Sequence, residues 1–134
     1  MAGEYRHSRG AALTHARLDL STGKAVQEIT LDHDAEFPSL LPADVGRENE
    51  RLLCLERSTA RPGTVPGYDQ FALLDVRSGA RAIYNYGDDW MVEEHLLIAE
   101  RGSSLPRWAV GTALDLRARA TTVTVFAIDG GKID

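Results

Sequence analysis

The sequence predicts an all-β fold built from short antiparallel hairpins, and three observations support this prediction. Apolar runs rich in β-branched and aromatic residues alternate with Gly, Pro, Asp and Ser at the spacing typical of strands. No segment has the periodicity of an amphipathic helix. A turn motif also recurs: residues 18–23 (LDLSTG) return fifty-six residues later as residues 74–79 (LDVRSG), and a weaker copy, residues 128–131 (IDGG), follows.

The interval of this repeat favours a β-propeller over a sandwich or a barrel. One four-stranded propeller blade takes roughly 40–50 residues and buries its faces against its neighbours. The sequence therefore predicts a partial propeller of about two to three blades, with little or no helix. Residues 1–134 are expected to form a single unit, in which the polar residues 1–10 are irregular.

The first half of the chain predicts three strands. Residues 12–20 and 25–31 pair through the repeated turn, in which Asp19 can bond its own downstream backbone and Gly23 can adopt a positive φ. Glu36-Phe37-Pro38 begins or edges a strand, because Pro38 cannot donate to a ladder. Residues 42–50 are polar and are predicted to form a loop.

The second half of the chain predicts six more strands. Residues 58–68 contain two Pro and two Gly and form a connection, and residues 101–106 form another. The strands are expected over residues 51–56, 71–76, 81–86, 90–99, 108–115 and 121–128.

Composition restricts the class of protein. With 43% hydrophobic and 26% charged residues, a net charge of −5 and scattered arginines, the chain is typical of a globular protein and not of one that binds nucleic acid. The single cysteine, Cys54, lies in an apolar run and is expected to be a small buried side chain. No apolar run is long enough to cross a bilayer, and the N-terminus has no signal core, so a cytoplasmic location is expected.

Two glutamates follow the repeated turns at similar distances. Glu36 stands thirteen residues after Gly23, and Glu94 stands fifteen after Gly79. In a propeller, the outer hairpin of one blade is followed by the inner strand of the next, so both carboxylates are expected near the axis on neighbouring blades. Glu93 is the alternative to Glu94, because successive residues of a regular strand face opposite sides.

Six blocks of sequence, in this order and spacing, resemble the late blades of the carotenoid cleavage oxygenases, a family that includes lignostilbene dioxygenases and retinoid isomerases. The blocks are residues 13–19 with the Thr22-Gly23 turn, 36–38 (EFP), 46–47 (GR), 73–79 (LLDVRSG), 92–96 (VEEHL) and 110–115 (VGTALD).

This resemblance implies a seven-bladed propeller that holds iron(II) on its axis through four histidines and uses dioxygen to cleave a conjugated carbon–carbon double bond. The substrate would be an apocarotenoid or a stilbene-like olefin. By the same resemblance, Glu36 and Glu94 each accept a hydrogen bond from the distal nitrogen of an iron-ligating histidine. Such a bond fixes the tautomer and the orientation of the imidazole.

The chain departs from the family in its histidines. The last iron histidine of the family lies in a Gly-Phe-His-Gly-like segment beyond the equivalent of Asp134, and the other three belong to earlier blades. None of the four histidines here matches a ligand block: His7, His15, His33 and His95. The resemblance therefore implies a fragment without iron ligands, inactive alone, which self-associates or needs its missing blades because its faces are uncovered.

Two simpler interpretations compete with that of an oxygenase fragment. Glu36 and Glu94 can be solvated carboxylates at strand ends, as most exposed glutamates are. The chain can then be a non-enzymatic propeller module that binds other proteins. His95, next to Glu93 and Glu94, is not expected to bind a metal, because adjacent strand residues cannot all face one ion.

Overall fold

The computed structural model describes residues 11–29, 31, 34–61 and 65–134. The expectation for residues 1–10 lies outside them. Every predicted strand occurs within two residues of its predicted bounds, and one short strand is added at the end. The strands are β1 (Thr14–Asp19), β2 (Lys24–Ile29), β3 (Ala35–Ser39), β4 (Arg51–Glu56), β5 (Gln70–Asp75), β6 (Arg81–Asn85), β7 (Trp90–Ala99), β8 (Pro106–Asp115), β9 (Ala120–Asp129) and β10 (Lys132–Ile133).

The strands form two four-stranded antiparallel sheets and one hairpin. The first sheet has the order β3-β4-β5-β6, the second has the order β10-β9-β8-β7, and β1 pairs with β2. Each four-stranded sheet is a simple meander, which is how a propeller blade is built. The prediction of an all-β partial propeller is confirmed. In the described residues, helix is limited to one 3-10 turn, Pro42–Asp44, within the predicted loop.

No helix among the described residues is long and apolar enough to cross a membrane.

The two sheets pack face to face around one apolar core. The first sheet contributes Leu53, Leu55, Phe71 and Leu73, and residues of β7, β8 and β9 close the core from the other side. Phe71 is fully buried and lies within 5.1 Å of the Phe126 ring, centroid to centroid. The first strands of the two sheets, the inner strands β3 and β7, are also in contact with each other.

The repeated turn has the same backbone hydrogen bond in both copies. The amide of Gly23 donates to the carbonyl of Asp19 at 2.8 Å, and that of Gly79 donates to the carbonyl of Asp75 at 2.8 Å. The Asp19 carboxylate accepts from the hydroxyl and amide of Ser21, and these bonds lower the pKa of Asp19 to about 2. Both glycines have a positive φ, which explains why the motif ends in Gly.

A third turn of this kind joins β8 to β9 but lacks the glycine. The Asp115 carboxylate accepts from the amides of Arg117 and Ala118, both at 2.8 Å. Arg119 occupies the position that corresponds to Gly23 and Gly79, with φ 54°. The repeated motif does not predict this turn, because an arginine stands where the motif has glycine.

Replacing Arg119 by glycine is expected to stabilise the chain by up to about 1 kcal/mol, because glycine adopts a positive φ without strain. The measurement is the free energy of unfolding from urea denaturation. Arg117→Gly, two residues earlier in the same turn, is the control and is expected to give no gain. A loss of stability in Arg119→Gly would contradict the assignment of strain to this position.

Candidate functional site

The site lies where the first strands of the two sheets meet. β3 carries Glu36 and β7 carries Glu93 and Glu94, and the two strands are in contact. Tyr68 contacts both strands. Its carbonyl accepts from the amide of Val92 in β7 at 2.8 Å in an isolated antiparallel bridge, and its ring lies edge-on to Phe37 of β3 with centroids 6.4 Å apart. The predicted placement of the glutamates on the first strands of neighbouring sheets agrees with this geometry.

Tyr68 is held in place by the connection between β4 and β5. The Arg57 guanidinium donates to the carbonyls of Val65 and Gly67, both at 2.7 Å. The buried Asp69 carboxylate accepts from the amide of Ser58 at 2.8 Å. Charge-assisted bonds of this kind order the described part of the loop and bring Tyr68 against β7.

Both inner strands, β3 and β7, depart from regular strand pairing at or next to the candidate glutamates. In β3 the register shifts between Glu36 and Ser39, and Phe37 there has φ 55°. A positive φ is costly for a bulky residue and is common near functional sites. In β7 the register shifts between Val92 and His95, so the pair Glu93-Glu94 forms a β-bulge.

The two irregularities open onto shared grooves. A groove of about 510 Å³ is lined by Phe37, Tyr68, Glu93 and Glu94, together with apolar side chains of β4 and β7. A second groove of about 420 Å³ also has Phe37 and Glu94 in its wall. An apolar surface with a few carboxylates is the usual composition of a small-molecule site.

Glu93 and Glu94 face the same groove. The Thr112 hydroxyl donates to the Glu93 carboxylate, and the exposed Glu94 lines both grooves. The expectation that only one of the two can face this side is wrong, because it assumes a regular strand and the bulge removes the alternation.

Glu36 lies beside the Tyr68 hydroxyl. That hydroxyl lies 3.5 Å from the Asp34 carboxylate and also contacts the Glu36 carboxylate. Burial raises the pKa of Tyr68, and the charges of Asp34 and Glu36 raise it further. The phenol therefore stays protonated, and its single O–H can donate to one of these two carboxylates at a time. The sequence does not predict this role of Tyr68, because residues 58–68 carry only the signals of a connection.

His95 is buried in the core, although it also forms part of the wall of the second groove. Its side chain is 2% exposed, with Nδ1 2.7 Å from the carbonyl oxygen of Glu93 and Nε2 3.1 Å from the hydroxyls of Tyr86 and Thr124. Burial lowers the pKa of His95, so the ring is neutral. Because a carbonyl only accepts, Nδ1 carries the proton and Nε2 accepts from a hydroxyl.

The described residues do not fit an iron site. Within residues 11–29, 31, 34–61 and 65–134, no group of three or more His, Cys, Asp and Glu side chains could hold a metal ion. His15 is exposed on β1, and both ring nitrogens of His95 bond to protein atoms. His7 and His33 lie outside the described residues.

The fold recurs in solved oxygenases. The lignostilbene dioxygenase of Pseudomonas brassicacearum superposes with a TM-score of 0.79 at 18% identity, over 87% of this chain and 26% of that chain. Cobalt-substituted Synechocystis apocarotenoid oxygenase superposes with a TM-score of 0.77 at 14% identity, over 88% of this chain and 25% of that chain. The chain thus spans about a quarter of the length of these two structures.

The sequence comparisons give one match. No curated protein sequence matches the chain. Residues 2–117, most of the chain, match the family described as retinal pigment epithelial membrane protein. Together with the propeller sheets and the oxygenase folds that they match, this shows that the chain belongs to the retinal pigment epithelial membrane protein family, the carotenoid cleavage oxygenases.

Proposed function

We propose that this chain forms two adjoining blades of an iron(II)-dependent oxygenase that cleaves a conjugated carbon–carbon double bond. The observation that carries the proposal is the contact between β3, which carries Glu36, and β7, whose Glu94 lines two grooves together with Phe37 of β3. The substrate class is an apolar conjugated olefin, an apocarotenoid or a stilbene-like phenol. Family membership supports the reaction class.

In this proposal, Glu36 and Glu94 orient histidines that belong to the rest of a longer protein. Each carboxylate accepts a hydrogen bond from the distal imidazole nitrogen, which fixes the tautomer that can bind metal. Tyr68 supports this role of Glu36, because its hydroxyl contacts that carboxylate and leaves the remaining lone pairs available to a second donor. Phe37, Val92 and Leu55 supply apolar groove wall that suits a conjugated substrate.

The exposed face of the second sheet supports a need for further blades. Val123 and Val125 are 70% and 62% exposed, and Leu96 of β7 is 61% exposed. Val125 and Leu96 both pair with Val110, so one sheet face presents a row of apolar side chains. Alone, the chain is expected to be inactive and to self-associate through such surfaces. We also propose that the protein acts in the cytoplasm.

The test uses the longest reading frame that contains this sequence, beside the 134-residue chain. Glu36→Gln and Glu94→Gln are each expected to lower iron occupancy or turnover by about 10–100-fold, because the amide cannot hold the imidazole in the same way. Iron content and oxygen-dependent cleavage of an apocarotenal and of a stilbene are measured. Glu100→Gln, an exposed carboxyl beyond the end of β7, is the control and is expected to leave both unchanged.

Unchanged iron content and rate in both variants would contradict the role of the two glutamates. No iron in the longer protein would instead favour the non-enzymatic propeller module. Stoichiometric iron in the short chain would contradict the placement of the ligands in other blades.

A further inference from the structure

His95, the histidine next to Glu93 and Glu94, is held by ring stacking and by hydrogen bonds at both ring nitrogens. The His95 ring stacks on Phe71 with centroids 4.7 Å apart and an interplanar angle of 26°. Its Nε2 joins a hydroxyl pair, because Tyr86 and Thr124 also bond each other at 2.8 Å. The ring therefore has a single orientation, set from three sides.

The other ring nitrogen points back along its own strand. Nδ1 donates to the carbonyl of Glu93 at 2.7 Å, two residues earlier. This carbonyl lies inside the bulge, where the ladder between β7 and β8 is interrupted. A bulge leaves a backbone group without its ladder partner, and a buried carbonyl without a donor costs stability. The imidazole supplies the missing donor.

The partner strand leaves room for this ring. Gly111 pairs with His95, and a Cβ on Gly111 would lie 2.4 Å from the ring and 2.6 Å from the carbonyl oxygen of Glu94. Only glycine allows this approach. The two motifs Glu-Glu-His and Val-Gly-Thr, which lie apart in the sequence, therefore build one feature.

We propose that His95 is a positioning residue that directs the Glu94 carboxylate into the groove by holding the Glu93 carbonyl in the bulge. In a regular strand, Glu93 and Glu94 would face opposite sides. The bulge held by His95 places both in the groove wall. The consequence for catalysis rests on the proposed function of Glu94, whereas the control of geometry by His95 does not.

Two amide side chains separate this role from simple core filling. Asn places a donor near the position of Nδ1, and Gln places one near the position of Nε2. His95→Asn is therefore expected to keep the bond to the Glu93 carbonyl and lose the link to Tyr86. His95→Gln is expected to keep the link to Tyr86 and lose the bond to the Glu93 carbonyl. Both variants lose the stacked ring. If His95 only fills the core, the two substitutions are therefore expected to have the same effect on the bulge.

The experiment is NMR of the 134-residue chain, with backbone shifts of Glu93, Glu94 and Thr112 as the readout of the bulge. We expect these shifts to stay close to wild type in His95→Asn and to move towards values of a regular strand in His95→Gln. Equal retention in both variants would overturn the proposal, and so would equal loss. In the longer protein, His95→Gln is expected to lower turnover as Glu94→Gln does, about 10–100-fold.

A measurement on the wild-type chain keeps the proposal testable if the variants do not fold. The ring ¹⁵N shifts of His95 are expected to show a neutral ring protonated at Nδ1, with a scalar coupling across the hydrogen bond to the Glu93 carbonyl. The Nε2-protonated tautomer would overturn the proposal. None of these readouts depends on iron. If the bulge responds as expected while Glu94→Gln leaves turnover unchanged, the proposed function fails and the role of His95 in the geometry stands.

Discussion

Replacing Gly111 by alanine is expected to destabilise the chain by about 3 kcal/mol, at the upper end of the cost of overpacking a well-packed core. The new Cβ would lie 2.4 Å from the His95 ring and 2.6 Å from the carbonyl oxygen of Glu94. Neither group can yield easily, because the ring is held by three hydrogen-bonding partners and the carbonyl is main chain. To accommodate the added Cβ, β7 and β8 would have to separate locally.

The measurement is urea denaturation of the 134-residue chain, with Gly79→Ala as the matched control. Gly79 has φ 72° and nothing within 4 Å of an added Cβ, so its replacement is expected to cost only the left-handed strain, about 1–2 kcal/mol. If Gly111→Ala proves no more destabilising than Gly79→Ala, the close packing of His95 against β8 is contradicted.

The strands of this fold follow from local sequence. Short apolar runs with turn residues between them predicted all strands but β10, which has only two residues. The Asp-x-x-Ser/Thr-Gly motif predicted two hairpins, because its hydrogen bonds join residues within the motif itself. Arg119 shows the limit of such motifs, since the same turn forms there without glycine.

The placement of the two glutamates could also be predicted, whereas the direction of their side chains could not. Order along the chain puts Glu36 and Glu94 on the first strands of successive sheets. The bulge in β7 depends instead on Gly111 of the next strand. The φ of Phe37 departs from the extended conformation that a residue before proline prefers. Both are tertiary effects that override local preference.

Replacing Phe71 by alanine is expected to destabilise the chain by about 3–5 kcal/mol, as for other buried Phe→Ala changes. The ring has no exposed surface and is surrounded by rings of three other strands. Its centroid lies 5.9 Å from Tyr84, 4.7 Å from His95 and 5.1 Å from Phe126. A cavity here cannot collapse easily, because the neighbouring rings are fixed by their own contacts.

The matched control is Val125→Ala, which removes an apolar side chain that is 62% exposed and is expected to change stability by no more than about 0.5 kcal/mol. Urea unfolding of each variant gives the comparison. A loss in Phe71→Ala no larger than in Val125→Ala would show that the two sheets do not share this core.

The same titration tests whether the two sheets unfold together. Both tryptophans, Trp90 and Trp108, lie in the second sheet, so their fluorescence reports on that sheet, whereas far-UV circular dichroism reports on both. Because Phe71 and Phe126 belong to one core cluster drawn from both sheets, separating the sheets would expose buried apolar surface on each of them. We therefore expect the two transitions to coincide in the wild type and in Phe71→Ala. A fluorescence transition at clearly higher urea would mean that the second sheet is stable alone, and that its packing against β5 does not hold the two inner strands together.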